Sequence, residues 1–345
     1  MQTLESVVIF GGTGFIGTHL TQHLLRENLA RRIVLADLAP PRKAPYASLL
    51  DEAITKGTVQ YRAIDVRRPI ADEELPRSAD LVVNLAAVHR EPGHQPSEYY
   101  ETNIKGAEHV TAFARRAGCP RIVFTSSISP YGPSEEMTDE SSLPVPDTPY
   151  GGSKLVAEKI HLAWLAGSPR HKLLILRPGV VFGPGEGGNV TRLVRSVVRG
   201  YFVYVGNQKT RKAGGYVKEL CRALQFGLDC LDRTGESFLL LNFSMNPVPT
   251  MEEFVTTIRS VAGIDRMRPL NIPRAALLGA SYPISFVTKL LGIKTSVNPV
   301  RVEKLFRSTS VDPKALRDLH YIWHYSFLEA FEDWKRDEPG DFTAR

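Results

Sequence analysis

Three glycines, Gly11, Gly14 and Gly17, separate an apolar, β-branched run from Ser6 to Phe10 and a stretch with helical apolar spacing from Phe15 to Leu25. A run of the first kind makes a buried strand, and the second makes a helix packed on it. Glycines at such a strand-to-helix turn each have a physical task. The first allows a sharp turn, the second lets backbone N–H groups approach an anion with no Cβ in the way, and the third lets helix and strand pack closely. A pyrophosphate then sits on the helix N-terminus, where unpaired N–H groups and the macrodipole favour negative charge. Twenty residues beyond Gly17, a second apolar run, Arg32 to Asp37, ends in a carboxylate. An acid there accepts hydrogen bonds from a ribose.

The alternation continues along the chain. Val59 to Ile64 reads as a third strand ending at Asp65-Val66, where the carboxylate either reaches an adenine edge or caps a helix. Leu81 to Ala87 reads as a fourth strand and Thr102 to Arg116 as a helix with Asn103 near its start. Arg121 to Thr125, running into Ser126-Ser127, is the fifth strand, and Lys172 to Leu176 the sixth. Strands alternating with helices predict an α/β fold with a doubly wound parallel sheet of the Rossmann type, whose ligands collect at the carboxyl ends of the strands. Beyond about residue 180 the pattern weakens. The expected division is a dinucleotide-binding domain over residues 1–180 and a smaller C-terminal α/β region over 181–345, mainly substrate-binding, which returns strands or helices to the first.

Composition excludes several classes of function. An apolar fraction of 43% and a charged fraction of 23% are those of an ordinary globular protein. The net charge of +6 comes from scattered Lys and Arg with no long basic run, so no nucleic-acid partner is expected. Cys119, Cys221 and Cys230 suit free thiols in a reducing cytoplasm, with no disulfide framework and no metal site. The apolar stretch Ala275 to Gly292 is interrupted by Pro283 and Lys289 and is short for a membrane span. It reads as one or two core or interface helices, and no membrane partner is expected. Phe327 to Trp334 reads as a terminal amphipathic helix.

The chemistry centres on Tyr150 and Lys154, four residues apart at the start of a helix and therefore on one face. A phenol near pKa 10 is a poor base at neutral pH, but an adjacent ammonium favours the phenolate and brings it toward the working range. A hydroxyl from Ser126-Ser127 can hold a substrate oxygen while Tyr150 moves its proton. The result is an exchange of alcohol and carbonyl, with a hydride passing to or from a nicotinamide.

The motifs Gly11-Gly-Thr-Gly14-Phe-Ile-Gly17, Asn84-Leu-Ala-Ala87, Phe124-Thr-Ser-Ser127, Tyr131-Gly132, Tyr150-Gly-Gly-Ser-Lys154 and Leu176-Arg-Pro-Gly179 resemble the extended short-chain dehydrogenase/reductase family. Within it the chain is most similar to the NAD-dependent epimerase/dehydratase branch acting on nucleotide sugars, over roughly residues 5–220. The resemblance implies NAD as cofactor, and Ser127, Tyr150 and Lys154 as the catalytic set. It implies cofactor contacts from Gly11, Gly14, Phe15, Ile16, Gly17, Asp37, Asp65, Val66, Leu85, Ala86, Ala87, Asn103 and Pro178, besides Tyr150 and Lys154. Asp37 matches the acidic position of NAD-preferring members, because a carboxylate repels a 2′-phosphate. Sugar dehydratases of the branch carry an acidic pair after the catalytic hydroxyl, where this chain has Ile128 and Ser129, so dehydration is disfavoured. Asn189 resembles a position that contacts the substrate's diphosphate, and Lys209, Arg211 and Lys212 lie where a basic diphosphate ligand often stands. Solvated surface charge is the alternative for these residues. His89 either lines the sugar pocket or is a surface histidine.

The expected function is NAD-dependent C4 epimerisation of a UDP-hexose or UDP-N-acetylhexosamine through a 4-keto intermediate, by a cytoplasmic homodimer. The alternatives are an NAD(P)-dependent reductase or dehydrogenase of a 4-keto nucleotide sugar or a sterol-like alcohol, and a non-catalytic NAD-binding regulator.

Overall fold

Alternation of side chains decides the architecture, because the central strands of the main sheet are buried on both faces and point successive side chains into two different cores. The computed structural model describes residues 2–343, except 72, 91–92, 135, 265–268 and 273–308. Its first half runs β1 (Val7–Phe10), α1 (Phe15–Arg26), β2 (Ile33–Asp37), α2 (Ser48–Thr55), β3 (Val59–Ala63), β4 (Leu81–Asn84), α3 (Pro96–Tyr99), α4 (Lys105–Arg116), β5 (Arg121–Thr125), α5 (Pro149–Leu165) and β6 (Lys172–Pro178). The second half runs β7 (Val180–Phe182), α6 (Asn189–Val198), β8 (Tyr204–Val205), β9 (Gly214–Tyr216), α7 (Val217–Thr234), β10 (Phe238–Phe243), α8 (Met251–Ala262), β11 (Asn271–Ile272), α9 (Lys314–Asp318) and α10 (Phe327–Asp337).

Seven strands form one parallel sheet in the order β10-β6-β5-β4-β1-β2-β3. Strand order reverses between β1 and β4, which opens a crevice at their carboxyl ends. In β1, Val7 and Ile9 join one core with Leu20 and Leu24 of α1 and Leu220, Leu224 and Leu228 of α7. Val8 and Phe10 join the opposite core with Val110 and Phe113 of α4 and Ala157 and Trp164 of α5. Each such side chain, fully buried, contributes about 1.5–3 kcal/mol of apolar transfer free energy. A third core gathers Phe182, Val194, Tyr216, Phe254, Phe331 and Trp334 from the C-terminal elements.

Three elements differ from the sequence expectation. The helix expected from Thr102 begins earlier, at Pro96, where Glu98 Oε2 accepts from Gln95 N at 2.7 Å and proline occupies the first turn. Asn103 therefore lies in a π-turn, Tyr100–Ile104, that links α3 to α4. The seventh strand, β10, comes from the second half of the chain: Phe238–Phe243 pairs with β6 from Phe238 opposite Leu173 to Phe243 opposite Pro178. Its apolar sequence, Phe-Leu-Leu-Leu-Asn-Phe, is the signal that marks it. Asp65 caps no helix; its Oδ1 accepts from the Arg67 backbone N–H at 3.0 Å, closing a turn. The stretch Ala275 to Gly292 lies outside the described residues. No helix among the described residues is long and apolar enough to cross a membrane.

Two buried imidazoles tie layers together. His19 of α1 stacks on Tyr46, with centroids 5.3 Å apart, and its Nε2 lies 2.8 Å from Pro184 O in the glycine-rich loop after β7. His161 of α5 stacks on Phe124 and places Nδ1 2.7 Å from Ala157 O, so this nitrogen carries the proton. Burial lowers both from 6.5 to about 4. The unfolded chain binds protons at these sites below pH 6.5 while the folded chain does not, so stability declines as pH falls from 6.5 toward 4. Each site contributes up to roughly 3 kcal/mol to that loss. Urea midpoints measured between pH 7.5 and 4.5 are expected to fall steadily below 6.5, with a shallower fall in His19→Gln; a midpoint constant over this range contradicts the assignment.

Candidate active site

The glycine turn is built by contacts that leave no room for a side chain. Gly11 has φ +71°, and a Cβ there would lie 2.7 Å from Ala86 N beyond β4. A Cβ at Gly17 would lie 2.5 Å from Gly12 O. At Gly14 the situation differs: a Cβ would meet only Gly11 O, at 3.2 Å, with open space otherwise. Gly14 is also the N-cap of α1, and no side chain caps that end, so the amides of Phe15 and Ile16 begin the helix without a side-chain acceptor. Asp37, at the end of β2, accepts from Thr13 N at 3.1 Å and Leu38 N at 2.7 Å. The carboxylate thus stands against the glycine loop. An open cradle at a helix N-terminus with an acid beside it fits a dinucleotide pyrophosphate and its ribose.

Leu85, Ala86 and Ala87 continue β4 into the crevice and are half-buried, with Leu85 N donating to Phe10 O at 2.9 Å. Asp65 is paired with Arg67, whose guanidinium holds the carboxyl below its ordinary range, and Val66 O faces His109 Nδ1 at 2.8 Å. Asn103 is buried and committed to protein groups. Its Oδ1 accepts from Val88 N at 2.9 Å, and its Nδ2 donates to Val88 O at 3.1 Å and Ser153 Oγ at 2.8 Å. Ser153 Oγ in turn donates to Tyr150 O. Asn103 therefore ties the end of β4 to the first turns of α5.

Helix α5 starts cleanly because Thr148 accepts from Gly151 N at 3.1 Å and Pro149 fills the first position. Gly151 is required by proximity: a Cβ there would lie 2.6 Å from Ser129 O. The helix start is thereby pressed against the loop that carries Ser127. Ser127 Oγ lies 3.1 Å from Ser129 Oγ and accepts from Ser129 N at 3.1 Å. The Tyr150 ring lies 6.0 Å from that of Tyr99, whose hydroxyl donates to Arg90 O. Lys154 is fully buried, donates from Nζ to Thr125 O at 2.7 Å and lies 4.5 Å from the centroid of the Phe124 ring. Burial pulls its ammonium down to about 7, opposed by the negative charge of Glu158. Pro178 ends β6, and its carbonyl accepts from Ile128 N at 3.1 Å.

The remaining expected substrate contacts are distributed unevenly. Lys212 precedes Ala213, whose oxygen a Cβ at Gly179 would meet at 2.1 Å, so Lys212 lies beside the end of β6. Burial lowers its pKa to about 8. Arg211 is exposed and donates to Val248 O at 2.8 Å. Asn189 and Lys209 are exposed, Asn189 accepting from Arg192, and no described hydrogen bond joins either to the strand-end cluster. His89 is exposed by surface area, while the surrounding protein lowers its pKa. Two residues that the sequence reading did not single out, Glu158 and Arg177, form a buried bidentate ion pair behind the site. Their signal was Glu158 standing one turn past Lys154 on the same helical face.

The model of the NAD dependent epimerase/dehydratase family matches residues 7–239. The chain is 26% identical over 329 residues to an N-acetyl-alpha-D-glucosaminyl-diphospho-ditrans,octacis-undecaprenol 4-epimerase of Escherichia coli O157:H7, covering 95% of this chain and 93% of that protein. It is 27% identical over 214 residues to a UDP-glucose 4-epimerase of Neisseria meningitidis, covering 59% of this chain and 60% of that one. Among solved structures, the UDP-Glc/GlcNAc 4-epimerase of Campylobacter jejuni superposes with a TM-score of 0.73 at 19% identity, over 96% of this chain and 99% of that one, which establishes a common fold.

Gly14 has φ −72° and ψ 179°, a backbone conformation that any residue adopts. Gly14→Val is therefore expected to fold but to fill the cradle, so that NAD released on denaturation falls below a tenth of the wild-type amount while circular dichroism is unchanged. Wild-type NAD content in this variant would place the pyrophosphate elsewhere.

Proposed function

This chain belongs to the NAD-dependent epimerase/dehydratase family, and on that footing we propose that it epimerises C4 of a hexose or N-acetylhexosamine carried on a diphosphate, with UDP-sugars as the first substrate class. The carrying observation is the seating of the buried Lys154, bonded to Thr125 O, on the same helical face as Tyr150, with the helix start pressed onto the loop of Ser127. The glycine cradle with Asp37 would hold the cofactor. NAD supplies reversible uptake of the C4 hydride.

The protein's own residues handle the proton and the geometry. Ser127 donates a hydrogen bond to the C4 oxygen and fixes its direction. Tyr150, as phenolate, takes the proton of the C4 hydroxyl and later returns it to the oxygen of the 4-keto sugar. Lys154 stabilises the phenolate electrostatically; its ammonium is available near neutral pH because Glu158 opposes the effect of burial. Asn103 keeps the first turns of α5 against the strand end through Ser153. Lys212, with Arg211, is proposed to face the diphosphate, whereas the geometry lends less support to Asn189, Lys209 and His89. Residues 1–180 are proposed to supply the cofactor and catalytic groups, and residues after 180 mainly the substrate side.

A second reading concerns the carrier on the diphosphate. The 4-epimerase of a polyprenyl-diphosphate sugar matches along 95% of this chain, whereas the UDP-glucose 4-epimerase matches along 59%. This supports a polyprenyl diphosphate as the alternative carrier, with the chemistry at C4 unchanged. The protein is further proposed to be a cytoplasmic homodimer packed through α4 and α5, where Val156 of α5 and Tyr100 of the π-turn leading into α4 are 43% and 44% exposed.

The test offers UDP-hexoses, UDP-N-acetylhexosamines and polyprenyl-diphosphate N-acetylhexosamine to the purified protein and follows C4 configuration by NMR, with released nucleotide identified by mass spectrometry. Epimer formation with retained NAD is expected. Net cofactor turnover would replace the epimerase reading by a dehydrogenase one. Tyr150→Phe is expected to lower kcat by roughly 10²–10⁴-fold with NAD content preserved; wild-type turnover in that variant removes the mechanism. In light scattering a mass twice that of the chain is expected, and a monomer would overturn the dimer.

A further inference from the structure

Behind the proposed catalytic groups lies a buried polar chain to which none of them belongs. Glu158 Oε1 accepts from Ser126 Oγ at 2.6 Å and from Arg177 Nε at 2.8 Å, and Oε2 accepts from an Arg177 terminal nitrogen at 2.6 Å. Glu158, Arg177 and Ser126 are each no more than 4% exposed. The Arg177 guanidinium lies 4.7 Å from the centroid of the Tyr131 ring, and the Tyr131 hydroxyl donates to Asn242 Oδ1 of β10 at 2.8 Å. Asn242 N donates to Glu140 Oε1 at 2.7 Å, and its Nδ2 donates to Asp312 O at 3.2 Å.

This arrangement bears on Lys154 in two ways. Ser126 lies between Thr125, whose carbonyl receives the Lys154 ammonium, and Ser127, so the bond to Glu158 holds the stretch that carries both. Glu158 also stands one helical turn from Lys154, within reach of a direct ion pair. A buried carboxylate left alone there would draw the ammonium onto itself. Arg177 occupies both carboxylate oxygens, so Lys154 keeps Thr125 O as its partner and stays beside Tyr150.

We propose that Glu158 and Arg177 are positioning residues for the reaction: Glu158 supplies the counter-charge that keeps Lys154 an ammonium, and Arg177 occupies that carboxylate so that Lys154 remains on the catalytic side. The inference rests on Tyr150 and Lys154 being the proton-transfer pair. The charged and titratable groups around Lys154 among the described residues are Tyr150, Glu158 and His161 on its own helix, Arg177 on β6 and His89 beyond β4. His161 is neutral above pH 5 and His89 is lowered, so the pair supplies the charge that matters.

Glu158 acts on Lys154 directly by its charge, and Arg177 acts on it only by occupying that carboxylate, so the two single variants are expected to move the pH profile in opposite directions. In Glu158→Gln the buried ammonium loses its counter-charge. The alkaline limb of the kcat–pH profile is then expected to move to lower pH by about one unit, with kcat at pH 7.5 about tenfold lower and KM changed less than threefold. In Arg177→Gln the limb is expected to move to higher pH, because Lys154 pairs with the freed carboxylate. Glu158→Gln with Arg177→Gln removes both members of the pair but still leaves Lys154 without a counter-charge, so the limb is expected to stay at the lower pH of Glu158→Gln. Limbs that stay put in the single variants overturn the proposal.

Where a single variant does not fold, the double variant and Ser126→Ala decide. Each is expected to keep the thermal midpoint within a few degrees and lose about threefold to tenfold in kcat; wild-type kcat in both overturns it. Tyr150→Phe is run alongside. Retained activity there would remove the catalytic reading itself, whereas its loss together with unmoved limbs removes only the role of Glu158 and Arg177.

Discussion

A backbone-to-backbone contact at the head of β1 sets the position of the whole cofactor side. Gly11 lies so close to the Leu85-Ala86 peptide that a Cβ would meet Ala86 N at 2.7 Å, and Gly17 lies as close to the carbonyl of Gly12. With no side chains interposed, the end of β1, the start of α1 and the end of β4 converge at one point. That point is where strand order reverses, and a parallel sheet opens a crevice there. Asp37 enters the same place because β2 is hydrogen-bonded in register alongside β1, with Phe10 opposite Ala36. Two cores, one on each face of β1, make this geometry rigid.

The chemical side is secured differently, by polar groups out of water. The Glu158–Arg177 pair costs desolvation, which its two parallel charge-assisted hydrogen bonds and the added Ser126 bond offset. A pair of this kind is weak evidence for stability. Its directional bonds instead hold one register between α5, β5 and β6, and proton transfer demands positioning to a fraction of an ångström. Through Tyr131 and Asn242 the same chain reaches β10, so the strand contributed by the second half of the protein also supports the site.

The family model ends at residue 239, near the start of β10, and so spans the glycine turn, the serine strand end and α5. Cofactor and proton chemistry require these parts in fixed relation. After β6, α7 and β10 return to the main sheet and its core, while β7, α6, β9, α8 and α10 gather around a third core built on Phe182, Phe331 and Trp334. A shared mechanism with varied carriers is the physical expectation for such a layout.

The sequence alone determined the local elements and pointed to the proposed reacting groups. Glycine spacing, buried apolar runs and the Tyr150–Lys154 interval are properties of short segments, and short-range sterics suffice to read them. It also indicated six strands of the sheet, whereas β10, separated from β6 by some sixty residues, has an apolar run that marks a strand but not the long-range partner it joins. The start of α3 was missed because its N-cap position, Gln95, makes no side-chain cap and carries none of the usual capping residue types. Asp65 offered two readings as a strand-end acid, and the turn with Arg67 excluded the helix cap. Asn103, a cofactor contact implied by the family resemblance, has three bonds to protein groups that its sequence position did not reveal. Only the tertiary structure decided which polar groups were buried together, and burial sets both the ammonium of Lys154 and the partner of Glu158. Those properties depend on distances between segments far apart in the chain, and such distances exist only once the two faces of the sheet have been covered.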